Sequence, residues 1–274
     1  MTRFEILLSL SVTGFETALC VFVYGRHLER RLPYFAVYAT TMLIWSLVLS
    51  VVFWRFGFRS LTAYYTSCTA IAAVVLARSS CIVELCRQAL RAYRGIWALA
   101  WRILALLTLS FCVHAALDAR GQPNWIAVYQ LTIERDIAVS SVVILIVLFL
   151  ITDYYRIPWE PLQKWIALGI AFFCLIEFVN NTVLRELFIK SLMPWSPWSA
   201  MKDQVNHVNS VWNAVYVSAT VVTLGMWCFL LRKPLPEPSR VPVLLPSEIY
   251  QELSPAVNLR LRAFNDRLQE MLKP

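Results

Sequence analysis

Seven apolar runs, at roughly 4–24, 34–54, 61–90, 96–117, 125–154, 164–190 and 207–231, constrain this chain more than any other feature. A helix crosses the ~30 Å hydrocarbon layer of a bilayer in about 20 residues, and every run reaches that length. Of 274 residues, 59% are hydrophobic and only 15% charged, which excludes a water-soluble domain assembled from such helices. The expected fold is all-α: a polytopic membrane bundle of seven transmembrane helices forming one domain over 1–233, followed by a tail over 234–274.

Proline placement sharpens the helix boundaries. All thirteen prolines avoid the interiors of the runs, with Pro33, Pro123, Pro158, Pro161, Pro194 and Pro197 between them and the rest from Pro234 onward. Because proline removes a backbone donor and kinks a helix, its absence argues for continuous helices and against the broken helices of many transporters. Gly14, Gly169 and Gly225 are the positions inside runs where a break could still occur.

Basic residues in the short loops set an expected orientation. Arg26, Arg30 and Arg31 follow the first run; Arg87, Arg91 and Arg94 end the third; Arg156 and Lys164 flank the fifth loop; Arg232 and Lys233 end the seventh. The opposite loops carry the thinner set Arg3, Arg55, Arg59, Arg120, Lys190 and Lys202, with Arg185 nearby. This distribution predicts an amino terminus outside, a cytoplasmic tail and residence in the inner (cytoplasmic) membrane. It also accounts for the net charge of +8 and the pI near 9.3 without a nucleic-acid partner. Trp125 and Tyr129 at one end of the fifth run, Tyr154 and Tyr155 at the other, and Trp97, Trp165, Trp195 and Trp198 elsewhere read as interfacial anchors. The first run lacks a basic leader and a small-residue cleavage site, so it is expected to be retained.

Metal, redox and cofactor chemistry find little support. The seven cysteines, at 20, 68, 81, 86, 112, 174 and 228, lie in apolar runs without a CxxC pair, as small hydrophobes do. His27, His114 and His207 do not combine with acidic residues at one-turn spacing on facing helices, the pattern a membrane zinc hydrolase needs. No lysine in the seventh run could carry a retinal Schiff base. No cofactor or metal is expected, and the absence of a nucleophile, base and orienting group in suitable context disfavours an enzyme.

Charges buried in lipid are costly and mark sites. Glu16 lies twelve residues beyond Phe4 and eight before Tyr24; Glu177 lies twelve from Trp165 and eleven from Phe188; Arg78 lies midway between Tyr65 and Tyr93. All three are expected near the midplane as one Glu16–Arg78–Glu177 network, serving either a ligand or helix register. Glu84, nearer the cytoplasmic side, can meet Arg87 or Gln88 one turn on. Glu134, Arg135 and Asp136 begin five residues beyond Tyr129, which predicts a shallow secondary rim about 7 Å below the outer belt.

Two polar stripes add to the network. Asn206, Asn209, Asn213, Tyr216 and Thr220 share a face of the seventh run, as Glu177, Asn180, Asn181 and Arg185 do on the sixth. Both should face the interior, forming either helix-to-helix hydrogen bonds or an outward-opening polar cavity. In the tail, Ser254 and Pro255 make an N-cap and N1 pair. Val257, Leu261, Phe264, Leu268 and Met271 then line one face of an amphipathic helix at about 255–272. That helix could rest on anionic lipid through Arg260, Arg262 and Arg267, dock on the bundle, or contact a cytoplasmic protein partner.

Four segments carry a family resemblance: HisLeuGluArgArgLeuProTyrPhe from His27, ValGluLeuCysArg from Val83, IleGluArgAsp from Ile133 and AlaLeuGlyIleAla from Ala167. They resemble elements of seven-helix bacterial membrane proteins, many from Acidobacteria, a family with no established activity. The resemblance implies the helix count and points to Glu84, Glu134 and Glu177, but implies no reaction; Glu16 and Arg78 fall outside it. The resulting expectation is a small receptor or sensory subunit. A proton- or cation-coupled transporter or channel, and a structural scaffold with buried ion pairs, are the alternatives.

Overall fold

Each apolar run becomes one uninterrupted helix in the computed structural model. It describes residues 3–57, 60–90, 94–121, 125–154, 159–191 and 198–232, together with Ala263, Asp266, Arg267, Glu270 and Met271. Within these segments the side chains of 3–9, 94–96, 127, 184–191, 198–210, 212 and 213 lie outside the description. The helices are α1 (Arg3–Gly25), α2 (Pro33–Phe56), α3 (Leu61–Ala89), α4 (Arg94–Ala119), α5 (Trp125–Tyr154), α6 (Pro161–Ser191) and α7 (Trp198–Arg232). None breaks at Gly14, Gly169 or Gly225. The five described tail residues are helical; the rest of the expected 255–272 helix lies outside the described residues.

Two boundaries differ from expectation. Helix α7 begins at Trp198 rather than near 207, because 198–206 is helical although too polar to register as an apolar run. Between α1 and α2, a 3₁₀ turn (Leu28–Arg30) sits where only a loop was expected, with Leu28 buried beneath it. Of the seven expected spans, six helices are long and apolar enough to cross a membrane, whereas in α1 the apolar stretch Leu10–Gly25 is shorter.

Local chemistry explains the helix ends. Pro33 and Pro161 occupy the first position of α2 and α6, where a missing N–H costs nothing. The Ser60 hydroxyl accepts from Ala63 N–H at 3.0 Å and caps α3. Gly57, at φ 75°, closes α2 by donating to the Phe53 carbonyl at 3.0 Å, a left-handed stop that a Cβ would strain.

The helices alternate in direction, and side chains lock the end at which α7 finishes, here termed the carboxy-terminal end. Arg26 Nη2 donates to the carbonyl of Arg232 at 2.8 Å, placing a cation on the negative end of α7. Gln88 Nε2 donates to Arg31 O at 2.8 Å and Gln163 Nε2 to Gln88 Oε1 at 2.6 Å, tying α3 to the α1–α2 connection and to α6. Glu84 Oε2 accepts from the backbone N–H of Tyr34 and Phe35 at 3.0 and 3.1 Å. These are orphan donors in the first turn of α2, so Glu84 is a helix cap delivered from a neighbouring helix, with the sign that suits the α2 dipole. Glu84→Gln should keep one acceptor but lose the charge, costing about 1 kcal/mol in a detergent-unfolding titration. A change no larger than that of an exposed Glu160→Gln control would reject the cap as a stabilising contact.

Helix α1 packs on α2 and α7, α7 on α6, α6 on α5 and α3, and α3 on α2 and α5, while α4 packs on α5. A ring of α1, α2, α3, α6 and α7 is thus closed, with α5 along the α3–α6 seam and α4 outermost. Only 6% of the apolar stretch of α4 is buried against 44% for α3 and α6, which makes α3 and α6 the interior helices.

Side chains are distributed as a bilayer demands. Ala36, Ala39, Ala63, Ala77, Ala138 and Ala167 are buried at helix contacts while Leu10, Leu76, Leu106, Leu150 and Phe229 point outward. Small residues let helices approach closely in lipid. Arg78, Glu134, Glu177, Asn181, Thr220 and Thr223 are turned inward, where lipid cannot strand them. The chain is a multi-pass membrane protein by this arrangement as well as by composition.

Candidate functional site

Helices α3, α5 and α6 each supply one charged side chain to a common interior position. Arg78 of α3 is 1% exposed and Glu177 of α6 is 4% exposed, with Nη2 and Oε2 2.6 Å apart. Beyond this contact neither atom has another partner, and Arg78 Nε has none among the described residues. The pair is therefore a contact ion pair with unused donor capacity. One turn before Glu177, the Phe173 ring lies 5.4 Å from the guanidinium carbon, within cation–π range. Phe173 in turn meets Tyr216 of α7 edge to face at 5.4 Å.

Glu134 of α5 completes the group. Its carboxylate accepts from Gln130 Nε2 at 3.1 Å and from Asn181 Nδ2 at 3.3 Å, and its charge is within reach of both Glu177 and Arg78. Phe173, Glu177 and Asn181 recur at one-turn intervals, so a single face of α6 carries the ring, the acid and the amide. Two carboxylates here face one guanidinium. Fully ionised, the group would hold one uncompensated negative charge in a medium that tolerates none cheaply.

This grouping corrects the expected network in three ways. Glu134 is not a solvated rim residue: it is 6% exposed and accepts from Asn181 of α6 beside Glu177. Asp136 does stand apart from it, two residues on and therefore on the opposite face. It receives His114 Nδ1 of α4 at 2.6 Å and Arg135 Nη2 at 2.9 Å, while Thr132 donates to Asp118 at 2.7 Å beside them. Glu16 does not join Arg78; it lies 4% exposed on the α1–α2 interface opposite Ser46, since α1 packs on α2 and α7 rather than on α3. Glu84 is occupied as the α2 cap, and Arg87, as expected one turn on, acts on it through charge.

Asn180 is half-buried on α6. The side chains of Arg185, Asn206, Asn209 and Asn213 lie outside the described residues. Phe173 and Tyr38, which lies beside the guanidinium, are site residues that the sequence reading passed over. The one available signal for Phe173 was its one-turn spacing from Glu177.

Beside Phe173, a crevice of about 10 Å³ is lined by Tyr38, Thr220, Thr223 and Trp227. That is about the space of one water. The chain matches no protein-family model, curated protein or solved structure. Side-chain chemistry is thus the basis for a functional reading.

Proposed function

We propose that this chain is a small receptor or sensory subunit of the inner membrane, in which a polar or cationic ligand reaches the Arg78–Glu177–Glu134 group from outside. The observation that carries this reading is the mismatch of two buried carboxylates with one guanidinium whose Nε has no partner among the described residues. Such a group offers acceptors to a cation and donors to a polar ligand without further rearrangement of the backbone. A ligand that favours one arrangement of α3, α5 and α6 shifts the bundle by its differential affinity for the two arrangements. The cytoplasmic tail then reports the shift to a protein partner or to the lipid surface.

Thermal unfolding of wild type and Glu177→Gln across panels of cations, small polar solutes and pH tests this. A ligand at 100 times its Kd should stabilise wild type by about 2.7 kcal/mol and leave the variant unchanged. Absence of any ligand- or pH-dependent shift in either protein would overturn the receptor reading.

Proton- or cation-coupled transport is the second reading, favoured by the position of Glu134 beside Glu177 as a second carboxylate along the α3–α6 seam. Liposomes loaded with a pH-sensitive dye separate the two. Flux that disappears in Glu134→Gln and Glu177→Gln supports transport, and tight liposomes count against it.

A further inference from the structure

Glu16 is an intramembrane carboxylate of a different kind from those around Arg78. Its Oε2 has no partner among the described residues, and none of the ion pairs among those residues includes it. Elements packed against α1 are α2, α7 and the 3₁₀ turn. From them Ser46 of α2 hydrogen-bonds the Glu16 carboxylate, with Cys20 on its own helix and Cys228 of α7 nearby, whose thiol donates to the Phe15 carbonyl at 3.6 Å. The only charged residue of α2 is Arg55, more than two turns from Ser46. Arg26 is engaged by Arg232, and Glu29 and Arg30 lie beyond Tyr24 at the carboxy-terminal end. Among the described residues no fixed cation is paired with this carboxylate.

We propose that Glu16 is a loading site for one small monocation, a proton or Na⁺, independent of the Arg78 group. A lone carboxylate in an apolar bundle needs a positive charge, and the surrounding hydroxyl and thiol groups supply neutral dipoles that suit a small ion or a proton. Polar atoms continue from the site toward the carboxy-terminal end. Cys20 lies one turn on against Thr40, and one turn further Tyr24 Oη meets Thr40 Oγ1 at 2.8 Å. This seam between α1 and α2 gives the cation a polar route that does not pass Arg78.

A hydrophobic carbodiimide on the full chain in liposomes provides the test. The reagent adds a protonated carboxyl across one of its N=C bonds, and the resulting O-acylisourea rearranges to a stable N-acylurea with no leaving group, so peptide mass spectrometry locates the adduct. Glu16 should carry it severalfold above the exposed Glu160, with labelling falling as pH rises. Protection by Na⁺ identifies the ion as the natural occupant; equal labelling with and without Na⁺ identifies the proton. Glu16→Gln should remove the adduct and Glu177→Gln should leave it. Labelling of Glu16 no greater than that of Glu160 or insensitive to both pH and Na⁺ would overturn the proposal, and so would loss of its adduct in Glu177→Gln. Because the readout is the Glu16 peptide, this outcome is separate from any failure of the receptor reading.

Discussion

Arg78→Met is expected to destabilise the bundle by about 3–5 kcal/mol, the cost of removing one partner from a buried pair and leaving the other charge uncompensated. Methionine retains the length and apolar volume of the arginine stem, so little of the loss is packing. Two carboxylates, Glu177 and Glu134, would be left facing Phe173 and Tyr216 without a cation. Glu177→Gln should cost less, because the guanidinium keeps Glu134 within reach. Glu134→Gln should be the mildest of the three: it removes the surplus charge, and the amide oxygen can still accept from Asn181. Unfolding titrations in mixed detergent micelles should therefore rank Arg78→Met above Glu177→Gln above Glu134→Gln. In Arg78→Met/Glu177→Gln the loss should fall short of the sum of the single effects, as partners in contact require. If Arg78→Met were no worse than Glu134→Gln, the guanidinium would not be the charge that holds the two acids.

That ranking depends on geometry which the sequence reveals only in part. Hydrophobic run length and proline spacing foretold α1 to α7 in order, because backbone groups in lipid must be satisfied within each segment. Arg78 and Glu177 were visible as charges stranded near the middle of long runs. Their partner was not, since a run of apolar residues states depth along its own axis but not the rotation of that axis or its neighbours. Glu16 and Glu177 look equivalent from depth alone, yet α1 packs on α2 and α7, away from α3. Glu134 was misplaced because depth below Tyr129 does not say which face of α5 it occupies, and that face is turned toward Glu177 and Asn181. Glu84 was read against its neighbours in sequence; Arg87 does reach it through charge, but its hydrogen-bond partners are backbone N–H groups about fifty residues away.

The same limit applies to the three glycines in helix interiors, and there it yields a contrast that can be measured. Gly169→Ala is expected to cost about 1–3 kcal/mol through overpacking, although alanine is the better helix former by about 1 kcal/mol. A Cβ at 169 would stand 2.5 Å from Trp227 Nε1, 2.7 Å from Met226 Cε and 2.8 Å from Trp227 Cε2. Met226 can swing aside because its end is flexible. Trp227 cannot: it is 2% exposed and held edge-on by Phe35 at 5.4 Å and Tyr38 at 6.2 Å. Helices α6 and α7 must separate instead, and Phe173 and Tyr216, which frame Arg78 from those two helices, separate with them. Gly225→Ala is the matched control, since its Cβ would meet nothing closer than Phe15 Cε1 at 3.9 Å, so it should gain part of the helix-propensity difference. Trp227→Phe should recover part of the Gly169→Ala loss by removing both crowded indole atoms. Equal stabilities for Gly169→Ala and Gly225→Ala would contradict the close α6–α7 approach on which the placement of Glu177 against Arg78 depends.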